Sequence, residues 1–159
     1  MYQVHSLRWK PLLISLAISL GVGGLSAILT MQNVKIYQSL NQPPLSPPAF
    51  IFGIVWTILF ILMGISAYLI YTSDSPDKRK ALVIYGIQLL LNFGWSLIFF
   101  NVQAYLLAFI WLIVLWIFII LMIISFYRIN PTAAILQIPY LLWVTFAAYL
   151  NLGIYLLNK

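Results

Sequence analysis

The chain has 159 residues, 64% of them hydrophobic and only 6% charged, against about 25% charged in soluble domains. So few charges cannot cover a soluble surface, which excludes a soluble globular domain and points to a single-domain integral membrane protein. The net charge of +6 does not point to nucleic acid, because the basic residues flank apolar runs, and the absence of cysteine excludes disulfides, thiolate metal sites and thiol nucleophiles.

The first apolar run covers about Pro11–Thr30. Its core of about 19 residues is longer than the roughly 7–15 of a signal peptide, so it reads as a retained helix. Ser15, Ser19, Gly23 and Ala27 recur at four-residue steps along it. Such a small-residue stripe lets another helix approach closely, within the bundle or in a dimer. The next connection, 32–47, contains Lys35 and ends in "NQPPLSPPAF", where Pro43, Pro44, Pro47 and Pro48 make up half of the chain's eight prolines. Proline restricts φ and removes a backbone donor. The segment is therefore expected to be stiff near its second half, with Ala49 and Phe50 leading into the second helix, although Pro47 and Pro48 also suit a plain helix start.

The second run, about Pro48–Tyr71, presents Phe52, Trp56, Phe60 and Met63 on one helical stripe. The polar break "TSDSPDKRK" follows and holds both acidic residues, Asp74 and Asp77. The third run, about Ala81–Phe100, places Gln88, Asn92, Trp95 and Phe99 on one stripe. A turn without charge near Asn101–Gln103 must separate it from the fourth run, about Ala104–Phe126, because the two together are far too long for one span. After "YRINPT", the fifth run, about Ala133–Leu157, aligns Tyr140, Trp143, Ala147 and Asn151. Each run can cross a hydrocarbon core of about 30 Å as a helix. The expected fold is an all-α bundle of five transmembrane helices.

With five spans, Arg8, Lys10, Lys78, Arg79, Lys80 and Arg128 share one face, against Lys35 and Lys159 on the other. This asymmetry puts the N-terminus in the cytoplasm and the C-terminus outside. The odd helix count argues against a duplicated transporter half. No apolar run contains an acidic residue or histidine; the sole histidine, His5, is in the N-terminal tail. An ion-coupled cycle and conventional hydrolysis therefore lack their usual groups, and no span offers histidine or cysteine to a haem iron. The embedded amides and aromatics fit either interhelical packing or a ligand pocket.

Three ordered stretches, "PPLSPPAFIFGIVWTILFILMGISAYL" (Pro43–Leu69), "QLLLNFGWSLIFF" (Gln88–Phe100) and "PYLLWVTFAAYLN" (Pro139–Asn151), carry a resemblance. The chain resembles the TspO/MBR family, the tryptophan-rich sensory proteins related to the mitochondrial translocator protein, over about Tyr37–Asn151. The resemblance implies a bacterial cell membrane protein, a homodimeric five-helix bundle and a pocket opening toward the first loop, over which the stiffened 32–47 segment is expected to lie as a lid. It implies porphyrin as ligand, or another apolar small molecule, with no cofactor required and no metal. Trp56, Asn92, Trp95, Trp143, Ala147 and Asn151 match the family's motifs and coincide with the stripes. Phe52, Phe60, Gln88 and Tyr140 complete the expected ligand-binding set. Two alternatives stand beside a porphyrin-binding receptor or sensor. One is light- and oxygen-dependent porphyrin breakdown with Trp56 and Trp143 as redox-active or positioning groups, a planar ligand stacking between them if they form opposing walls. The other is transport of tetrapyrroles or lipids. Many family members have tryptophan where this chain has Leu45, Phe50 and Phe93. The sterol motif of animal relatives is out of register, with Leu152 directly after Asn151, so sterol binding is not expected.

Overall fold

A computed structural model of the chain describes residues 7–159, so His5 lies outside the described residues. The described chain is helical, with no strand, and holds five helices long and apolar enough to cross a membrane. Helix α1 (Trp9–Thr30) passes through one tight turn, Met31–Asn33, into the short α2 (Val34–Ser39). Helix α3 is Ala49–Tyr71 and α4 is Lys78–Ser96; α4 widens into a π-helical segment at Leu97–Val102. Helix α5 is Tyr105–Tyr127, and the last span comprises α6 (Pro131–Ile135) and α7 (Ile138–Asn158).

Three boundaries differ from the sequence reading, each for a local reason. The 32–47 connection is not irregular throughout. Residues Gln32–Ser39 stay helical because no proline or glycine intervenes, and only about 40–48 leaves the helix, around Pro43 and Pro44. The fifth span is divided because Pro139 lacks an N–H and its ring crowds the carbonyl four residues earlier. Asn130 caps α6 instead, accepting from the Thr132 and Ala133 amides at 3.0 and 3.4 Å. The uncharged turn between the third and fourth spans is real but minimal: Gln103 takes a left-handed conformation, φ 59°, and Ala104 leads into α5.

The small-residue stripe of α1 is used inside the bundle. Ser15 Oγ donates to the Gly64 carbonyl at 2.6 Å, and Ser19 Oγ to that of Phe60 at 2.8 Å. A Cβ at Gly23 would meet the Phe60 ring at 2.5 Å, so the backbone of α1 lies directly on α3. Helix α5 packs against both α4 and α7, completing the bundle. The starts of α1 and α4 and the end of α5, with Arg8, Lys10, Lys78, Arg79, Lys80 and Arg128, share one end; α2 with Lys35 and the end of α7 with Lys159 share the other, the loop end.

Candidate functional site

A cavity of about 520 Å³ occupies the loop-end half of the bundle, within the roughly 300–1,000 Å³ usual for small-molecule sites. Phe52, Trp56 and Phe60 enter it from α3, Asn92 and Trp95 from α4, and Ala147 and Asn151 from α7. Helix periodicity explains each set, since steps of three and four keep a stripe on one face. The aromatic walls are tightly coupled. Trp56 lies 5.7 Å from Phe60 and 6.2 Å from Tyr140, and Trp95 stacks on Phe99 at 5.2 Å between centroids.

Two hydrogen-bonded chains fix the polar lining. Asn92 Nδ2 donates to the Tyr140 hydroxyl at 2.8 Å, which donates to Gln88 Oε1 at 2.7 Å. Trp95 Nε1 donates to Asn151 Oδ1 at 3.0 Å, and Asn151 Nδ2 donates to the Tyr105 carbonyl at 2.9 Å. These amides thus do both things the sequence left open: they tie α4 to α7, and two of them also face the cavity. Asn92 Oδ1 accepts from no described residue and is not sealed off, although Asn92 as a whole is only 3% exposed. It is a free acceptor for a ligand N–H or O–H.

Gln88, Tyr140 and Trp143 do not line the cavity. Gln88 and Tyr140 are fully buried beside it and act through Asn92. Trp143 packs behind Phe52 at 5.8 Å and lines a shallow outer groove with Leu142 and Phe146. Its Nε1 is buried without a partner among the described residues. Trp56 and Trp143 are therefore not opposing walls of one pocket. Phe52 stands between Trp143 and the cavity, because the buried stripe of α7 is Tyr140, Val144, Ala147 and Asn151.

The sequence reading missed Tyr37, Phe99 and Phe100 as lining residues. Tyr37 is buried and packs on Phe52, Phe99 and Phe100 at 5.8–6.0 Å, closing the loop end of the cavity. Its signal was the unbroken helical phase of Gly23, Ala27, Thr30, Val34 and Tyr37, all of which line the cavity. Phe99 already lay on the α4 stripe. Phe100 had no signal, since it lies off the Gln88–Asn92–Trp95–Phe99 stripe, in the π-helical segment. Among the described residues no charged one lines the cavity, and Lys35 is exposed on α2.

Tyr140→Phe is expected to destabilise the protein by about 1–3 kcal/mol, because it leaves the Asn92 amide and Gln88 carbonyl buried without partners. Thermal unfolding in detergent measures this. An unchanged midpoint would show that the two amides re-pair with each other.

The fold and site together define a five-helix integral membrane protein with an aromatic, uncharged internal cavity. The TspO/MBR family model matches residues 14–157. The chain is 40% identical to the tryptophan-rich protein TspO of Chlorobaculum tepidum over 149 residues, covering 92% of this chain and 94% of that protein. It is 36% identical to the tryptophan-rich protein TspO of Archaeoglobus fulgidus over 148 residues, 92% and 96% of the two chains. It is 32% identical to the translocator protein of Homo sapiens over 147 residues, 90% and 87% of the two chains. The chain belongs to the TspO/MBR family.

Proposed function

We propose that this protein binds metal-free porphyrins of the protoporphyrin IX kind in the cavity beneath Tyr37, as a membrane receptor or sensor. Family membership supports a membrane sensor or translocator role, and relatives carry the names tryptophan-rich sensory protein and translocator protein. The observation that carries the finer reading is an aromatic-walled cavity of about 520 Å³ whose lining includes the Asn92 and Asn151 amides and no charged residue among those described. A porphyrin offers two flat faces to Phe52, Trp56, Trp95 and Phe99, and pyrrole N–H groups that Asn92 Oδ1 can accept from. The uncharged lining gives its propionates no partner inside, so they must sit at an opening, at the level where water or lipid headgroups solvate them.

Protoporphyrin IX titration of the purified protein, in the dark and illuminated, tests this. Saturable tryptophan quenching with the porphyrin spectrum retained is expected for binding. Loss of porphyrin absorbance with a new product band, in light only, would favour photo-oxidative breakdown instead; no saturable quenching would contradict both.

The protein's place is a bacterial cell membrane on this reading, with the N-terminus cytoplasmic, because six basic residues gather at one end of the bundle and two at the other. A reporter fused after Lys159 is expected to work only outside the cytoplasm; fluorescence restricted to the cytoplasm would reverse the orientation. A homodimer belongs to the same reading. It must use a face other than the Ser15, Ser19 and Gly23 part of the α1 stripe, which is occupied by α3.

A further inference from the structure

The loop end of the cavity is shut more firmly than a mobile flap would be. The Pro43 ring sits on Gly153 so closely that a Cβ there would meet it at 2.5 Å. Asn158 holds the Asn41 backbone from both sides, accepting from its N–H at 3.0 Å and donating to its carbonyl at 2.8 Å. The Tyr149 hydroxyl donates to the Pro44 carbonyl at 2.8 Å. Beneath these contacts, Tyr37 plugs the space among Phe52, Phe99 and Phe100.

The exposed part of the lining lies elsewhere, on the side of the bundle. Gly24 and Ala27 of α1 and Gly53 and Thr57 of α3 all line the cavity and are all exposed. The two helices are held together below this point by the Ser15 and Ser19 bonds. Above Gly23, no side-chain hydrogen bond joins α1 to α3 among the described residues, and neither Gly24 nor Gly53 has an atom within 4 Å of where a Cβ would stand. Behind this gap lies Asn92, buried and with its acceptor free. Gly53 is four residues into α3, about 6 Å from its start at 1.5 Å per residue. That depth is near the boundary of headgroups and acyl chains.

We propose that the cavity is loaded sideways from the bilayer, through the gap between α1 and α3, while the 40–48 connection stays closed. Gly24 and Gly53 form the two sides of this portal. The inference rests on the porphyrin reading and narrows its ligand class to flat, membrane-dissolved molecules whose polar edge stays at headgroup depth. A ligand moving edge-first slides between two side-chain-free positions, and its carboxylates never cross the apolar interior.

The test uses protein in phosphatidylcholine vesicles, with protoporphyrin IX supplied already dissolved in the lipid and quenching followed by stopped flow. Gly24→Leu combined with Gly53→Leu is expected to slow both association and dissociation by about tenfold, and the slower dissociation marks a gate, since a lost or clashing contact in the cavity would speed it. Unchanged rates, or weaker affinity at an unchanged association rate, would overturn the portal. Asn41→Cys with Asn158→Cys supplies a second reading, since the chain has no other cysteine. Oxidised to tether the connection to α7, this variant is expected to bind at the parent rate. Binding lost on oxidation and restored on reduction would place the route at the loop end instead. A parent protein that does not bind protoporphyrin at all would overturn the porphyrin reading and the route with it; a binding parent with unaltered variant kinetics overturns the route alone.

Discussion

Gly64→Val is expected to disrupt the bundle more than any exchange among the cavity residues. A Cβ at Gly64 would meet Ser19 Oγ at 2.8 Å, Leu16 Cδ2 at 2.9 Å and Leu16 Cα at 3.1 Å. The Leu16 side chain can swing aside, but its Cα is backbone, so α1 must move away from α3. That movement also stretches the Ser15 bond to the Gly64 carbonyl and the Ser19 bond to the Phe60 carbonyl. Overpacking of this kind costs about 1–3 kcal/mol for a single methyl, and the branched valine adds to it. Gly64→Ala should therefore lower the unfolding midpoint in detergent clearly, and Gly64→Val should prevent recovery of folded protein. Gly86→Ala is the control, since nothing lies within 4 Å of its Cβ position. Equal midpoints for Gly64→Ala and Gly86→Ala would show that α1 is not held at this crossing.

Trp56 and Trp143, equivalent by sequence pattern, should separate in binding. Trp56 lines the cavity against Phe60 and Tyr140, whereas Trp143 is screened from it by Phe52. Trp56→Ala is expected to weaken protoporphyrin binding roughly ten- to hundredfold, the equivalent of about 1.5–3 kcal/mol of lost apolar contact. Trp56→Phe keeps a stacking face and should stay within about tenfold of the parent. Trp143→Phe should leave affinity unchanged. Under illumination the same contrast bears on chemistry, because phenylalanine is much harder to oxidise than indole. Light-dependent porphyrin loss that falls in Trp56→Phe and persists in Trp143→Phe would assign the reacting indole to the cavity wall. Equal weakening of binding by both substitutions would contradict the placement of Trp143 behind Phe52.

The contrast between these tryptophans shows what periodicity can and cannot supply. Tyr140, Trp143, Ala147 and Asn151 follow helical spacing, and so do Tyr140, Val144, Ala147 and Asn151. Both stripes satisfy the period; only packing against α3, α4 and α5 selects the second. The amide pair was legible in the same partial way. Gln88 and Asn92 share a face by spacing, but that one meets Tyr140 as acceptor while the other meets it as donor depends on how α4 and α7 pack together. The spans themselves were legible because lipid demands long apolar helices, a constraint written into composition. Helix α2 was not, since its six residues are polar enough to read as loop, and its buried Tyr37 became visible only once the helical phase of α1 was carried across Met31–Asn33. The division at Leu136–Gln137 was signalled by Pro139, which the sequence reading placed within one continuous span.

Ala147 offers the most direct way to place the ligand. It is 6% exposed, lines the cavity from α7, and stands on the face between Tyr140 and Asn151. A phenylalanine there would occupy ligand space. Equilibrium titration of protoporphyrin IX against Ala147→Phe and the parent, with helicity and unfolding midpoint checked on both, is the decisive comparison. A folded variant whose affinity falls by about tenfold or more is expected if porphyrin sits between Trp56, Trp95 and Asn92. A folded variant that binds protoporphyrin as tightly as the parent would contradict the cavity as the binding site.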